Sequence, residues 1–62
     1  MKNNIKQIRE RKKISYEEIA FKLGVTTQTV YNWEQGKHIP NKVTREALAD
    51  LLDEKVTNIF LS

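Results

Sequence analysis

The stretch Ser15-Tyr-Glu-Glu-Ile-Ala-Phe-Lys-Leu-Gly-Val-Thr-Thr-Gln-Thr-Val-Tyr-Asn-Trp-Glu-Gln-Gly36 decides how the chain folds. It reads as two short helices joined by a sharp turn. Ser15 is a suitable N-cap, and Glu18 stands three residues on, which is the capping-box pattern that satisfies two orphan N–H groups reciprocally. Ile19, Ala20 and Leu23 follow at helical spacing. Gly24 ends this helix, because a left-handed C′ position suits glycine. Val25 is a small apolar plug. Thr26 caps a second helix, expected over Thr27 to about Gln35, and Gly36 ends it.

Two such helices around a glycine turn constitute a helix-turn-helix, here about residues 15–36. With Val30 set inward, Trp33, Glu34 and, less squarely, Thr27 share its side at about 100° per residue. Gln28 and Asn32 then point away, flanked by Thr29, Tyr31 and Gln35. The outward face carries amides and hydroxyls and no carboxylate. Gln and Asn amides can bond adenine edges at two points, and a Thr methyl can touch a thymine methyl. An ordinary solvated helix face would carry Glu and Lys instead.

Sixty-two residues allow one small domain with one core, where tight helix packing must supply stability that disulfides or metals often provide. There is no cysteine, so disulfides and thiolate metal sites are excluded. The single histidine cannot build a zinc site without carboxylate help. No apolar run approaches the ~18 residues of a membrane span, and the first residues lack the apolar core of a signal peptide. A cytoplasmic domain without membrane attachment is therefore expected. The net charge is +3, unevenly spread: residues 1–42 hold nine Lys and Arg against four Asp and Glu, and residues 43–62 hold two against four. A basic front suits a polyanionic partner, although a solvated charged face would look the same.

Outside the motif, Ile5, Ile8 and Arg9, with Lys12 next on that face, predict a first helix over residues 2–12. Ile14 begins the connection. Tyr16, at the start of the next helix, can donate its hydroxyl to a phosphate or pack on the neighbouring turn. Phe21 lies off the apolar face and covers the core edge or meets a partner. Lys37 to Asn41 form a loop in which Pro40 disfavours helix at Ile39, and Ile39 is expected to anchor it. Lys37 and His38 stand exposed beside the second motif helix. Asn41 caps a fourth helix to about Leu52, with Val43, Ala47, Leu48, Leu51 and Leu52 as its apolar positions. Asp53-Glu54-Lys55 is a polar break, and Val56 with Ile59-Phe60-Leu61 forms a short helix or apolar tail. The expected core joins Leu23, Val30, Leu48, Leu52 and Ile59 to Ile5, Ile8 and Ile19.

With these residues placed, the chain resembles the phage Cro/repressor-type, or Xre-like, helix-turn-helix family along nearly its whole length. Ala20 and Gly24 fill the family's small positions, Trp33-Glu34-Gln35-Gly36-Lys37 is similar to its Trp-Glu-Asn-Gly-Lys ending, and Ile5-Lys-Gln-Ile-Arg9 matches its first helix. The resemblance implies a compact all-α, lambda-repressor-like domain of four or five helices. It implies base-reading by Thr27, Gln28 and Asn32 with help from Tyr31, and phosphate contacts by Tyr16, Thr26, Gln35 and Lys37, which His38 adjoins. Arg9 and Glu34, both inward on the helical phases, are implied to pair. Sequence-specific binding of an operator in double-stranded DNA, usually as a repressor and a homodimer, follows, with no cofactor and no catalytic role. The apolar tail also suggests a dimer on DNA that is weak or monomeric when free. A protein-interaction module of the same fold, antitoxin-like or an anti-repressor partner, is the alternative, and the uncharged face argues against it. Four departures stand out. Lys13 replaces a common glycine, which predicts a looser first turn. Tyr16 replaces Gln. Arg45 replaces Leu, which leaves open a rotated fourth helix or one using Val43. Asp53-Glu54-Lys55 replaces Gly-Val-Ser, weakening the cap of helix five.

Overall fold

A computed structural model of the chain describes residues 2–61. Five helices follow in order: α1 (Ile5–Arg11), α2 (Tyr16–Leu23), α3 (Thr27–Glu34), α4 (Lys42–Leu52) and α5 (Val56–Ile59). Side-chain caps start three of them. The Ser15 hydroxyl accepts from the Glu18 N–H at 3.0 Å, Thr26 Oγ1 from Thr29 N–H at 3.1 Å, and Asn41 Oδ1 from Thr44 N–H at 2.8 Å. Each supplies an acceptor to a donor that has no partner inside the helix.

α1 to α4 share one kind of ending. Beyond each helix a left-handed residue reverses the chain: Lys13 at φ 60°, Gly24 at 70°, Gly36 at 74° and Asp53 at 54°. The residue after it donates back to a carbonyl five residues earlier. Those bonds are Ile14 to Arg9 (2.8 Å), Val25 to Ala20, Lys37 to Asn32 and Glu54 to Ala49 (each 3.0 Å). This is the Schellman motif, which satisfies the last carbonyls. Lys13 therefore keeps the tight turn that its replacement of glycine was expected to loosen. It does so in a conformation that costs an ordinary side chain roughly 1–2 kcal/mol.

α1 is shorter than the predicted 2–12, because the residues before it pair with the other end of the chain. Asn3 forms an antiparallel bridge with Phe60. Asn4 N–H donates to the Ile59 carbonyl at 2.7 Å, and Leu61 N–H donates to the Lys2 carbonyl at 3.0 Å. Asn3 Oδ1 accepts from the Ile5 N–H at 3.1 Å and starts the helix there. Lys12 falls past the helix end and is exposed.

Ile5, Ile8, Ile19, Val30, Leu48, Leu52 and Ile59 form the core, with Ala20, Trp33, Ala49 and Phe60 buried around them. Three apolar expectations are corrected. Leu23 is half-buried at the margin rather than central. Val43 is 75% exposed, so α4 packs through Leu48, Ala49 and Leu52 and not through its first turn. Ile59 and Phe60 belong to the core and leave only Leu61 of the apolar tail exposed.

Leu48→Ala should cost about 2–5 kcal/mol, and Leu23→Ala clearly less, in urea unfolding followed by circular dichroism. In the same assay Lys13→Gly should stabilise by about 1 kcal/mol, the relief of left-handed strain outweighing glycine's unfolded-state entropy. Asp53→Gly should gain less, because aspartate tolerates that region better.

Candidate nucleic-acid interface

The helix-turn-helix is built from α2, its Gly24 turn and α3. Thr26 fixes the first turn of α3, and its hydroxyl also shares a hydrogen bond with that of Thr29 at 2.8 Å. At the far end, Asn3 Nδ2 donates to the Trp33 carbonyl at 2.7 Å, so the N-terminal segment holds the last turn of α3. Gly36 then sends the chain into the loop that carries Lys37 and His38.

Arg9 and Glu34 set the orientation of α3. Arg9 Nε donates to Glu34 Oε2 at 2.6 Å and Nη2 to Oε1 at 3.2 Å, a two-point pair. Their side chains are only 12% and 3% exposed. The hydrogen bond to Glu34 holds the Arg9 guanidinium above its ordinary pKa, while burial works against it. Arg9 stays charged at every pH at which the protein would be studied. The same guanidinium lies 5.4 Å over the centroid of the Tyr16 ring, a cation–π distance. Glu34 is the one carboxylate in α3. Turning it inward leaves the exposed side of that helix without negative charge.

That side displays Thr27, Gln28, Tyr31 and Gln35, all exposed. Thr27 is thus exposed, although its helical phase sets it, less squarely than Trp33 and Glu34, toward the inward side. Asn32 is half-buried. Gln28 Nε2 donates to Asn32 Oδ1 at 3.0 Å and links two amides one helical turn apart. Thr26, Lys37 and His38 are exposed around this face. Tyr16 is half-buried, packed on the core beneath Arg9, and it lines with Thr27, Gln28 and Tyr31 a cleft of about 170 Å³. Phe21 stands 86% exposed on α2 and does not cover the core edge.

The loop after α3 is anchored differently from the expectation. Ile39 is 50% exposed, and Pro40 is buried in its place. Arg45 Nη1 donates to the Pro40 carbonyl at 2.7 Å. The residue that departs from the family pattern therefore ties α4 to the loop bearing Lys37 and His38. A charged residue at an apolar register just after a proline loop was the available signal for this contact. Among the described residues no helix is long and apolar enough to cross a membrane.

The second helix of the motif is thus capped and presents exposed amides and hydroxyls with no carboxylate among them. The chain matches the helix-turn-helix family over residues 5–59 and belongs to that family, of the Cro/C1 type. It is 34% identical over 61 residues to an uncharacterized HTH-type transcriptional regulator of Methanocaldococcus jannaschii, covering 98% of this chain and 92% of that one. It is 32% identical over 60 residues to the similarly named YgzD of Bacillus subtilis, covering 97% and 91%. A third HTH-type regulator, from Archaeoglobus fulgidus, is 30% identical over 61 residues, covering 98% and 86%. The family makes the chain a DNA-binding transcription regulator.

Glu34→Gln should lower stability by about 3–5 kcal/mol in urea unfolding at neutral pH, because Arg9 is left charged and largely buried without its partner. A loss under ~1 kcal/mol would show that the pair behaves as an exposed one.

Proposed function

We propose that this protein is a sequence-specific regulator, a repressor, that lays α3 in the major groove of an operator. The observation that carries the reading is the exposed face of α3, where Thr27, Gln28, Tyr31 and the partly covered Asn32 offer hydroxyl and amide groups with no carboxylate among them. Amides bond base edges at two points and discriminate by about 1–3 kcal/mol per good pair. Tyr16, Thr26, Gln35, Lys37 and His38 surround that face and meet phosphates, which position the protein without carrying sequence information. A repressor of this kind acts by occupying the operator in the cytoplasm.

Homodimerisation on DNA is part of the proposal and rests on the family. Two copies on half-sites about one helical turn apart fit the docking geometry of such domains. With Ile59 and Phe60 in the core, the free chain has little apolar tail to pair through, which supports a monomer or weak dimer in solution.

Selection of bound sites from random duplexes, followed by binding assays on selected and random DNA at several salt concentrations, tests the reading. Gln28→Ala should weaken binding to the selected site and barely change binding to random DNA. Lys37→Ala should weaken both similarly and reduce the salt slope by about 1. Equal losses on both duplexes for Gln28→Ala would remove it as a base reader. A loss confined to the selected duplex for Lys37→Ala would remove it as a phosphate contact.

A further inference from the structure

One side chain of the junction between the chain ends reaches the second motif helix. Asn3 bridges Phe60 through its backbone. Its side-chain amide is engaged at both ends inside the protein: Oδ1 accepts from the Ile5 N–H at 3.1 Å, and Nδ2 donates to the Trp33 carbonyl at 2.7 Å. A single half-buried residue thus ties the C-terminal segment, the first turn of α1 and the last turn of α3 together. The junction is completed by Asn4 N–H on the Ile59 carbonyl at 2.7 Å, Leu61 N–H on the Lys2 carbonyl at 3.0 Å, and Asn4 Nδ2 on the Asn58 carbonyl at 3.1 Å.

The Trp33 carbonyl belongs to the reversal that ends α3. It also accepts from the Gly36 N–H at 3.0 Å, and the Lys37 N–H donates to the Asn32 carbonyl at 3.0 Å. Gln35 and Lys37 leave from this turn. Peptide groups in a helix lie roughly along its axis, so a donor on a carbonyl of the last turn restrains that end against axial shift. The Arg9–Glu34 pair grips the same turn through side chains, whereas Asn3 grips its backbone. The opposite end of α3, with Thr27 and Gln28, is fixed by the Thr26 cap instead.

We propose that Asn3 is a positioning residue for DNA binding, which through the Trp33 carbonyl sets the end of α3 that presents Gln35 and Lys37 to phosphates. This rests on the reading above that α3 docks on DNA with those two residues at the backbone. Asn3 acts without touching DNA, since its amide is engaged within the fold. Coupling between two sites is reciprocal, so DNA that holds the end of α3 also holds the junction of the chain ends.

Asn3→Ser keeps an oxygen for the Ile5 N–H and removes the donor to Trp33. Binding of the full chain to selected and random duplexes is measured by fluorescence anisotropy at several salt concentrations, with circular dichroism confirming that each variant is folded. Asn3→Ser should weaken binding to both duplexes by about threefold to tenfold, the range that one hydrogen bond carries, and lower the salt slope. Combined with Lys37→Ala it should add little further loss, whereas combined with Gln28→Ala the losses should add. In the unsubstituted chain, hydrogen exchange of the Leu61 amide should slow when DNA is bound. That measurement stands even where the variant does not fold. In folded Asn3→Ser the slowing should disappear. A folded Asn3→Ser protein that binds both duplexes like its parent overturns the proposal and leaves the docking of α3 standing. Losses confined to the selected duplex overturn it too, because Asn3 then acts on base reading. So do losses that add fully with those of Lys37→Ala, and so does Leu61 exchange that ignores bound DNA. An unsubstituted chain that binds neither duplex overturns the docking of α3 itself, and the proposal with it.

Discussion

The Arg9–Glu34 pair is the interaction on which the rest of the molecule turns. It joins α1 to the last turn of α3 through two hydrogen bonds, nearly out of contact with water. Burying two charges is costly, and a well-packed apolar substitute is often as stable, so the value of the pair is not a simple gain in stability. What it supplies is placement. It fixes the rotation of α3 about its own axis, and with it the residues that reach the surface. It withdraws the one carboxylate of that helix from the exposed face. Through the guanidinium it also sets the ring of Tyr16 at the mouth of the motif.

The second layer of order lies in the helix ends. Four consecutive helices stop with the same reversal, two at glycine and two at Lys13 and Asp53. In a domain of this size the helices are too short to be stable alone, and packing must hold them. Sharp stops let each helix leave the core at a defined angle. The strain accepted at Lys13 is the cost of keeping that geometry without glycine.

Much of this was legible in the chain itself. Ser15, Gly24, Thr26 and Gly36 are local signals, read from neighbours three to five residues away, and the motif they delimit is where they place it. The core positions of α1 to α4 follow the helical period for the same reason. The misreadings share a cause as well. The local pattern predicts a start of α1 at residue 2, because nothing local announces that Asn3 pairs with Phe60. Val43 and Ile39 look inward by composition, yet Pro40 and Arg45 fill that corner through a bond between a guanidinium and a carbonyl, which hydropathy cannot register. At the interface, residue types were readable one at a time. The amide link from Gln28 to Asn32 and the cleft shared with Tyr16 depend on how two helices meet, and no single-helix pattern contains that.

The pairing of the two chain ends has a kinetic meaning. α2 and α3 are neighbours in sequence, and the caps and turn that define them can form with little chain to close. Asn3 and Phe60, by contrast, meet only when nearly the entire chain has looped back. Loop closure grows more expensive with length only slowly, by about 0.6 kcal/mol per doubling, but it returns nothing until the contact is made. The order of assembly is therefore local first and closure last. Asn3 is also the side chain that holds the final carbonyl region of α3. The motif can take shape early, and its last turn is secured only by the event that completes the fold.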